Sequence, residues 1–175
     1  MAAESADAPD RLTHLDHRGR ARMVDVGDKP VTLRECVARA TVRMAPATLA
    51  AISEGRIAKG DVLALTRIAG VQAAKRTAEW IPLAHPVPLD VVEVELRLDP
   101  ARSCIDIEVN VRAHAKTGVE MEALVAATAA GLTLYDMCKA IDRAMTIDAV
   151  RLVRKSGGKS GTWQRSGPDP ETSEP

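Results

Sequence analysis

Phenylalanine is absent, and only three aromatic residues, Trp80, Tyr135 and Trp163, occur among 175. The chain therefore offers almost no platforms on which unpaired bases could stack. Net charge is missing too, because 24 Lys and Arg balance 24 Asp and Glu, so no overall field draws a long polyanion. Together these absences argue against a nucleic-acid binder. No stretch of eighteen consecutive apolar residues exists, so no membrane-spanning helix is predicted. The opening MAAESADAPD has no basic region leading into an apolar run, so no signal peptide is predicted either. Cys36, Cys104 and Cys138 are odd in number, far apart and without a C-x-x-C pair. Neither a disulfide framework nor a zinc site is implied, and a reducing, cytoplasmic setting is expected.

At this length one domain with its own core is expected. Residues 1–11 and 164–175 are polar, Pro-bearing and without hydrophobic period, which predicts flexible tails around a folded unit over 12–163. Cys36, Ala38, Ala40, Val42 and Met44 alternate with Arg39, Thr41 and Arg43, the pattern of a half-buried strand. The same alternation returns over 92–98 and 105–113, and Asp99-Pro100-Ala101-Arg102-Ser103 between them reads as a hairpin turn. A last strand is expected over 147–154. Pro46 and Gly55 bracket a short helix, and a second is predicted over 61–79 with Val62, Leu65, Ala69 and Ala73 on one face. Thr117 and Glu120 have capping-box spacing and open a third predicted helix over 117–141. This order predicts an α+β fold, an antiparallel sheet covered by helices. The third helix is apolar on two sides, which predicts cover on two sides, the second by another subunit.

Asp136 and Lys139 stand one helical turn apart, where carboxylate and ammonium can meet and shift each other's titration. On spacing alone the signal is weak, and the pair reads first as a solvated surface contact. Partial burial beside the apolar stripe would lower the lysine's pKa toward the acid–base range. Glu122 lies roughly 21 Å from Asp136 at 1.5 Å per helical residue. The two therefore touch one substrate only if it is long or if they come from different subunits; Glu122 also suits a first-turn carboxylate facing the helix dipole. His85 sits in IPLAHPVPL (81–89), where three prolines stiffen the backbone. His14 and His17 have H-x-x-H spacing without a third ligand, so no metal site is expected. Lys155, Lys159 and the glycines of KSGGKSG (155–161) suit an anion, yet the segment is no Walker loop, lacking its first glycine and its helix. Lys59-Gly60-Asp61, at a helix start, is a second candidate for phosphate.

Taken in order, LTH (12–14), MVDV (23–26), KGD (59–61), IAGVQAAKRT (68–77), IPLAHP (81–86), KTGVEMEAL (116–124), LYDMCKA (134–140) and KSGGKSG (155–161) resemble the MoaC family across nearly the whole folded unit. The resemblance implies a ferredoxin-like fold in a homohexamer, a trimer of dimers with active sites at subunit interfaces. It also implies a lyase that converts (8S)-3′,8-cyclo-7,8-dihydroguanosine 5′-triphosphate, the GTP-derived product of a radical SAM cyclase, into cyclic pyranopterin monophosphate and diphosphate. No cofactor, nucleic acid or membrane is implied. Matched motif by motif, Asp136, Lys139 and Lys59 take the catalytic positions, while Leu83, Ala84, His85, Glu120, Met121, Glu122 and Lys155 fall at substrate-binding ones.

Lys59, Lys75, Arg76, Lys155 and Lys159 are candidates to face the triphosphate. One departure stands out: the family pattern reads Leu-Cys-His-Pro, and this chain has Ala84 in the cysteine's place. That substitution is the one feature favouring a rival, a non-catalytic nucleotide-binding oligomeric sensor.

Overall fold

The computed structural model describes residues 18–166. His14, His17, residues 12–14 and most of both expected tails lie outside the described residues. Five strands form one antiparallel sheet in the order β2-β3-β1-β4-β5. They are β1 (Thr32–Arg43), β2 (Val91–Asp99), β3 (Cys104–Ala115), β4 (Thr146–Ser156) and β5 (Trp163–Gln164). Helices α1 (Pro46–Ser53), α2 (Val62–Lys75) and α3 (Thr77–Trp80) separate β1 from β2, and α4 (Glu120–Cys138) separates β3 from β4. This βαββαβ path, with β1 and β3 central, is the ferredoxin-like arrangement. Among the described residues no helix is long and apolar enough to cross a membrane.

Alternation in the strands decides which face is dry. Cys36, Ala38, Ala40 and Val42 of β1 and Ile105, Ile107, Val109, Val111 and Ala113 of β3 are almost fully buried. They meet a helix face of small side chains, Ala123, Ala126, Ala127 and Ala130, with Val119 and Leu134 at its ends. The opposite sheet face is charged, with Arg39 paired to Glu108 at 2.6 Å and Thr41 donating to Asp106 at 3.0 Å. The predicted hairpin is present, its turn fixed by the Asp99 carboxylate accepting from the Arg102 amide at 3.0 Å.

Several expectations need correction. The helix expected over 61–79 breaks at Arg76, and the Thr77 hydroxyl donates to the Ala74 carbonyl at 3.0 Å at the junction. Its buried face is Val62, Thr66, Gly70, Ala73 and Ala74, whereas Leu65 is exposed. Gly70 explains the rotation: a Cβ there would stand 3.0 Å from Val94 and 3.4 Å from the Ala126 carbonyl, so α2 approaches α4 and β2 along its small residues. The second apolar side of α4 is covered by this same chain, Val125 and Ala129 packing on Ala73 and Ile81, although Leu132 stays exposed. No capping box forms: α4 starts at Glu120 behind Val119, with no side-chain cap. Gln164, expected in the tail, pairs with Arg154 in β5.

Strand β4 shifts register between Arg39 and Thr41 of its partner, and Ala149 in that bulge has φ +51°. An L-residue pays for this conformation through its Cβ. Ala149→Gly is therefore expected to raise unfolding free energy by about 0.5–1 kcal/mol, read as a higher urea midpoint at unchanged slope.

Candidate active site

At the C-terminal end of α4, Asp136 stands between two ammonium groups. Lys139 Nζ lies 2.7 Å from Asp136 Oδ1, and Lys59 Nζ donates to Oδ2 at 3.0 Å and to the Asp136 carbonyl at 2.6 Å. Lys59 reaches across from the loop before α2. At that helix start, where a phosphate was expected, the Asp61 carboxylate itself accepts from the Ala64 amide at 2.9 Å. The loop delivers Lys59 to Asp136. Hydrogen bonds and charge from Lys139 and Lys59 hold the Asp136 carboxyl below its ordinary value, and Asp136 in turn raises Lys139. The expected lowering of Lys139 by burial is absent, because Lys139 and Asp136 are 52% and 57% exposed. The cluster thus presents an ionised carboxylate flanked by two amines, a base and proton donors within one contact shell.

Two cavities open near the other end of α4. The first, about 640 Å³, is lined by Val24, Val26, Ile81, Leu83, Val87 and Met121, with Ala84, His85, Glu120 and Glu122 as further walls. His85 Nε2 lies 2.8 Å from the Val24 carbonyl, which only accepts, so this ring nitrogen is the donor. The proline-rich segment is a turn at its start, where the Ala84 amide donates to the Ile81 carbonyl at 3.0 Å. Glu122 is 3% exposed, and burial pushes its carboxyl up to about 7.

The second cavity, about 660 Å³, shares Lys29, Thr117, Gly118 and Glu120 with the first. Its other cations are Arg34, Lys116, Lys155 and Lys159. Arg34 ties the walls together by donating to the Ala115 and Lys116 carbonyls at 3.3 Å. The segment 155–160 forms one wall, with Gly157 packed where a Cβ would lie 2.0 Å from the Leu33 carbonyl oxygen. Lys155 Nζ sits 2.9 Å from Glu120 Oε1 at the boundary between the cavities. Lys75 and Arg76 are elsewhere, lining a smaller cavity behind Glu122.

One chain therefore brings His85, Leu83, Ala84, Glu120, Met121, Glu122 and Lys155 together, and separately Asp136, Lys139 and Lys59. Glu122 and Asp136 occupy the two ends of α4, roughly 21 Å apart at 1.5 Å per residue. Sequence spacing missed Lys29 and Arg34, which nothing in their local sequence marks, and gave no role to Lys116 although it heads KTGVEMEAL. Asp99, Cys104 and Asp106 are the metal-sized cluster among the described residues, but Arg102 is ion-paired to both carboxylates.

The cysteines carry no nucleophile. Cys36 borders the basic cavity, yet it is buried and its thiol is pushed up to about 12 by burial and by Glu120. Cys104 and Cys138 are also buried and raised. Native protein at pH 8 is expected to resist iodoacetamide at all three, with complete alkylation only in denaturant, measured by intact mass.

Fold and cavities define a class: a ferredoxin-like α+β domain with a mainly apolar cavity and a basic cavity side by side. Within that class the chain belongs to the MoaC family, whose model matches residues 23–158. It is 63% identical over 152 residues to the cyclic pyranopterin monophosphate synthase of Roseiflexus sp. (strain RS-1), covering 87% of this chain and 96% of that protein. The synthase of Thermomicrobium roseum (strain ATCC 27502 / DSM 5159 / P-2) is 59% identical over 154 residues, 88% and 93% of the two chains. That of Chloroflexus aurantiacus (strain ATCC 29366 / DSM 635 / J-10-fl) is 58% identical over 160 residues, 91% and 98%.

Proposed function

We propose that this chain is a cyclic pyranopterin monophosphate synthase, a lyase of molybdenum-cofactor biosynthesis acting on (8S)-3′,8-cyclo-7,8-dihydroguanosine 5′-triphosphate. The observation that carries the mechanism is Asp136 held between Lys59 and Lys139, in a chain identical at about three positions in five to synthases over nearly its whole length. Opening and rebuilding the guanine-derived ring moves several protons, work for an ionised carboxylate beside ammonium donors. Forming the cyclic phosphate makes a new P–O bond at the α-phosphorus and breaks the bond to diphosphate. Cations stabilise the charge on that leaving group.

The two cavities match the substrate's two halves. The apolar one takes the ring system, with His85 and Glu122 as its polar contacts, and the basic one takes the triphosphate among Lys29, Arg34, Lys116, Lys155 and Lys159. Ala84 leaves the amide geometry of its turn intact, so its lost thiol removes at most one side-chain contact.

The catalytic cluster is too far along α4 to serve the cavities of its own chain. A second copy that sets its Asp136 end against the Glu122 end of the first closes the site, and Leu65, Ile68 and Leu132 are left exposed on the helical layer to receive it. Within this proposal the assembly is a homohexamer of three such dimers, supplied by a radical SAM cyclase in the cytoplasm.

The test is to mix purified protein with the cyclised GTP substrate and follow diphosphate and pterin together. Equimolar release of both supports the synthase, whereas tight binding without turnover is the outcome of a nucleotide sensor and contradicts it.

A further inference from the structure

Between β3 and α4 the chain runs Lys116-Thr117-Gly118-Val119-Glu120. Gly118 is not among the residues with positive φ, so its backbone suits any L-residue and does not explain the glycine. The surroundings do. A Cβ at position 118 would lie 1.9 Å from Glu120 Oε2, 2.7 Å from Cδ and 2.8 Å from Oε1. The Glu120 carboxylate fills the space a side chain at 118 would take.

That placement has a consequence for the ligand. From this slot Glu120 borders both cavities and holds Lys155 Nζ at 2.9 Å. A ligand with its ring in the apolar cavity and its phosphates in the basic one carries its sugar hydroxyls past this point, where a carboxylate accepts hydrogen bonds. We infer that Gly118 is a positioning residue: its missing side chain keeps the Glu120 carboxylate at the junction of the two cavities and on Lys155. The role deepens the synthase reading and rests on it for its effect on turnover.

An alanine at 118 meets only the far end of a flexible side chain, so the carboxylate swings away and the backbone stays. Gly118→Ala is expected to melt within about 4 °C of wild type while losing about 100-fold in turnover, the scale of a contact misplaced by an ångström. Released from its carboxylate, Lys155 is expected to bind inorganic tripolyphosphate about 5-fold more tightly, measured by calorimetry on the full-length chain. The decisive comparison is Gly118→Ala made in a Glu120→Ala background. With no carboxylate to displace, it should change neither turnover nor tripolyphosphate affinity further.

Wild-type turnover together with wild-type tripolyphosphate affinity in Gly118→Ala overturns the inference. So does an undiminished loss on top of Glu120→Ala. If Gly118→Ala folds poorly, adding Glu120→Ala must restore the melting temperature, and failure to do so also overturns it. A wild-type chain that releases no diphosphate refutes the synthase reading instead, and tripolyphosphate affinity alone then decides the role of Gly118.

Discussion

Asp136→Asn is expected to lower turnover by about 10²–10⁴-fold, the range of a lost general base, with little change in the melting temperature. Asn keeps the shape of the side chain, but its single carbonyl oxygen can accept from only one of the two lysines that bond Oδ1 and Oδ2 of Asp136, and it takes no proton. The residue is 57% exposed and supports no core packing, so stability does not depend on it. Loss of its charge also removes the cause of the raised Lys139 pKa, and the alkaline limb of the pH–rate profile should move down. Single-turnover diphosphate release over pH 6–10 reads both effects. Lys139→Ala provides the companion result: full activity in that variant would remove the lysine from the mechanism.

Glu122→Gln should act on stability with a pH dependence of definite sign. Burial raises the folded-state carboxyl from 4.5 to about 7, so between those values the folded chain binds more protons than the unfolded one. The stability this protonated group contributes is complete below pH 4.5 and is lost as pH rises through 7. Gln keeps a neutral group there at every pH. The variant should match wild type near pH 4 and exceed it at pH 8 by up to about 3 kcal/mol, at 1.36 kcal/mol per pKa unit. Urea unfolding at pH 4, 6 and 8 measures this, and an equal offset at all three would refute the buried acid.

The sheet was legible because its signal is local. Period-two alternation in 36–44, 92–98 and 105–113 marks strands however they are later paired, and Asp99-Pro100 marks the hairpin. The face of α2 was not legible, because Leu65 outweighs Gly70 in any hydrophobic pattern, while the close approach that Gly70 permits is a tertiary fact. The cap of α4 misled in a similar way. Glu120 is placed for a capping box, but Lys155, thirty-five residues away, takes its carboxylate.

Within the site, Asp136 and Lys139 show themselves by one-turn spacing, whereas Lys59 is marked locally only as a phosphate candidate at a helix start and is tied to them only through resemblance to a family. Arg34 and Lys116 meet because β1 pairs with β3 so that Thr32 faces Ala115, and no local motif encodes that register. Glu122 was visible as a first-turn carboxylate, yet its burial, which sets its titration, was not.

The central claim is that two half-sites at opposite ends of α4 are joined by a second copy into one synthase, and subunit complementation tests it most directly. Asp136→Asn and His85→Ala chains carrying different tags are co-expressed, and their mixed assemblies are assayed for diphosphate and pterin against each variant alone. The account predicts two nearly inactive parents and a mixture with about a quarter of wild-type turnover, because random two-fold pairing makes half the dimers mixed and each mixed dimer has one intact site. Mixed assemblies as inactive as their parents would contradict it and return the whole site to a single chain.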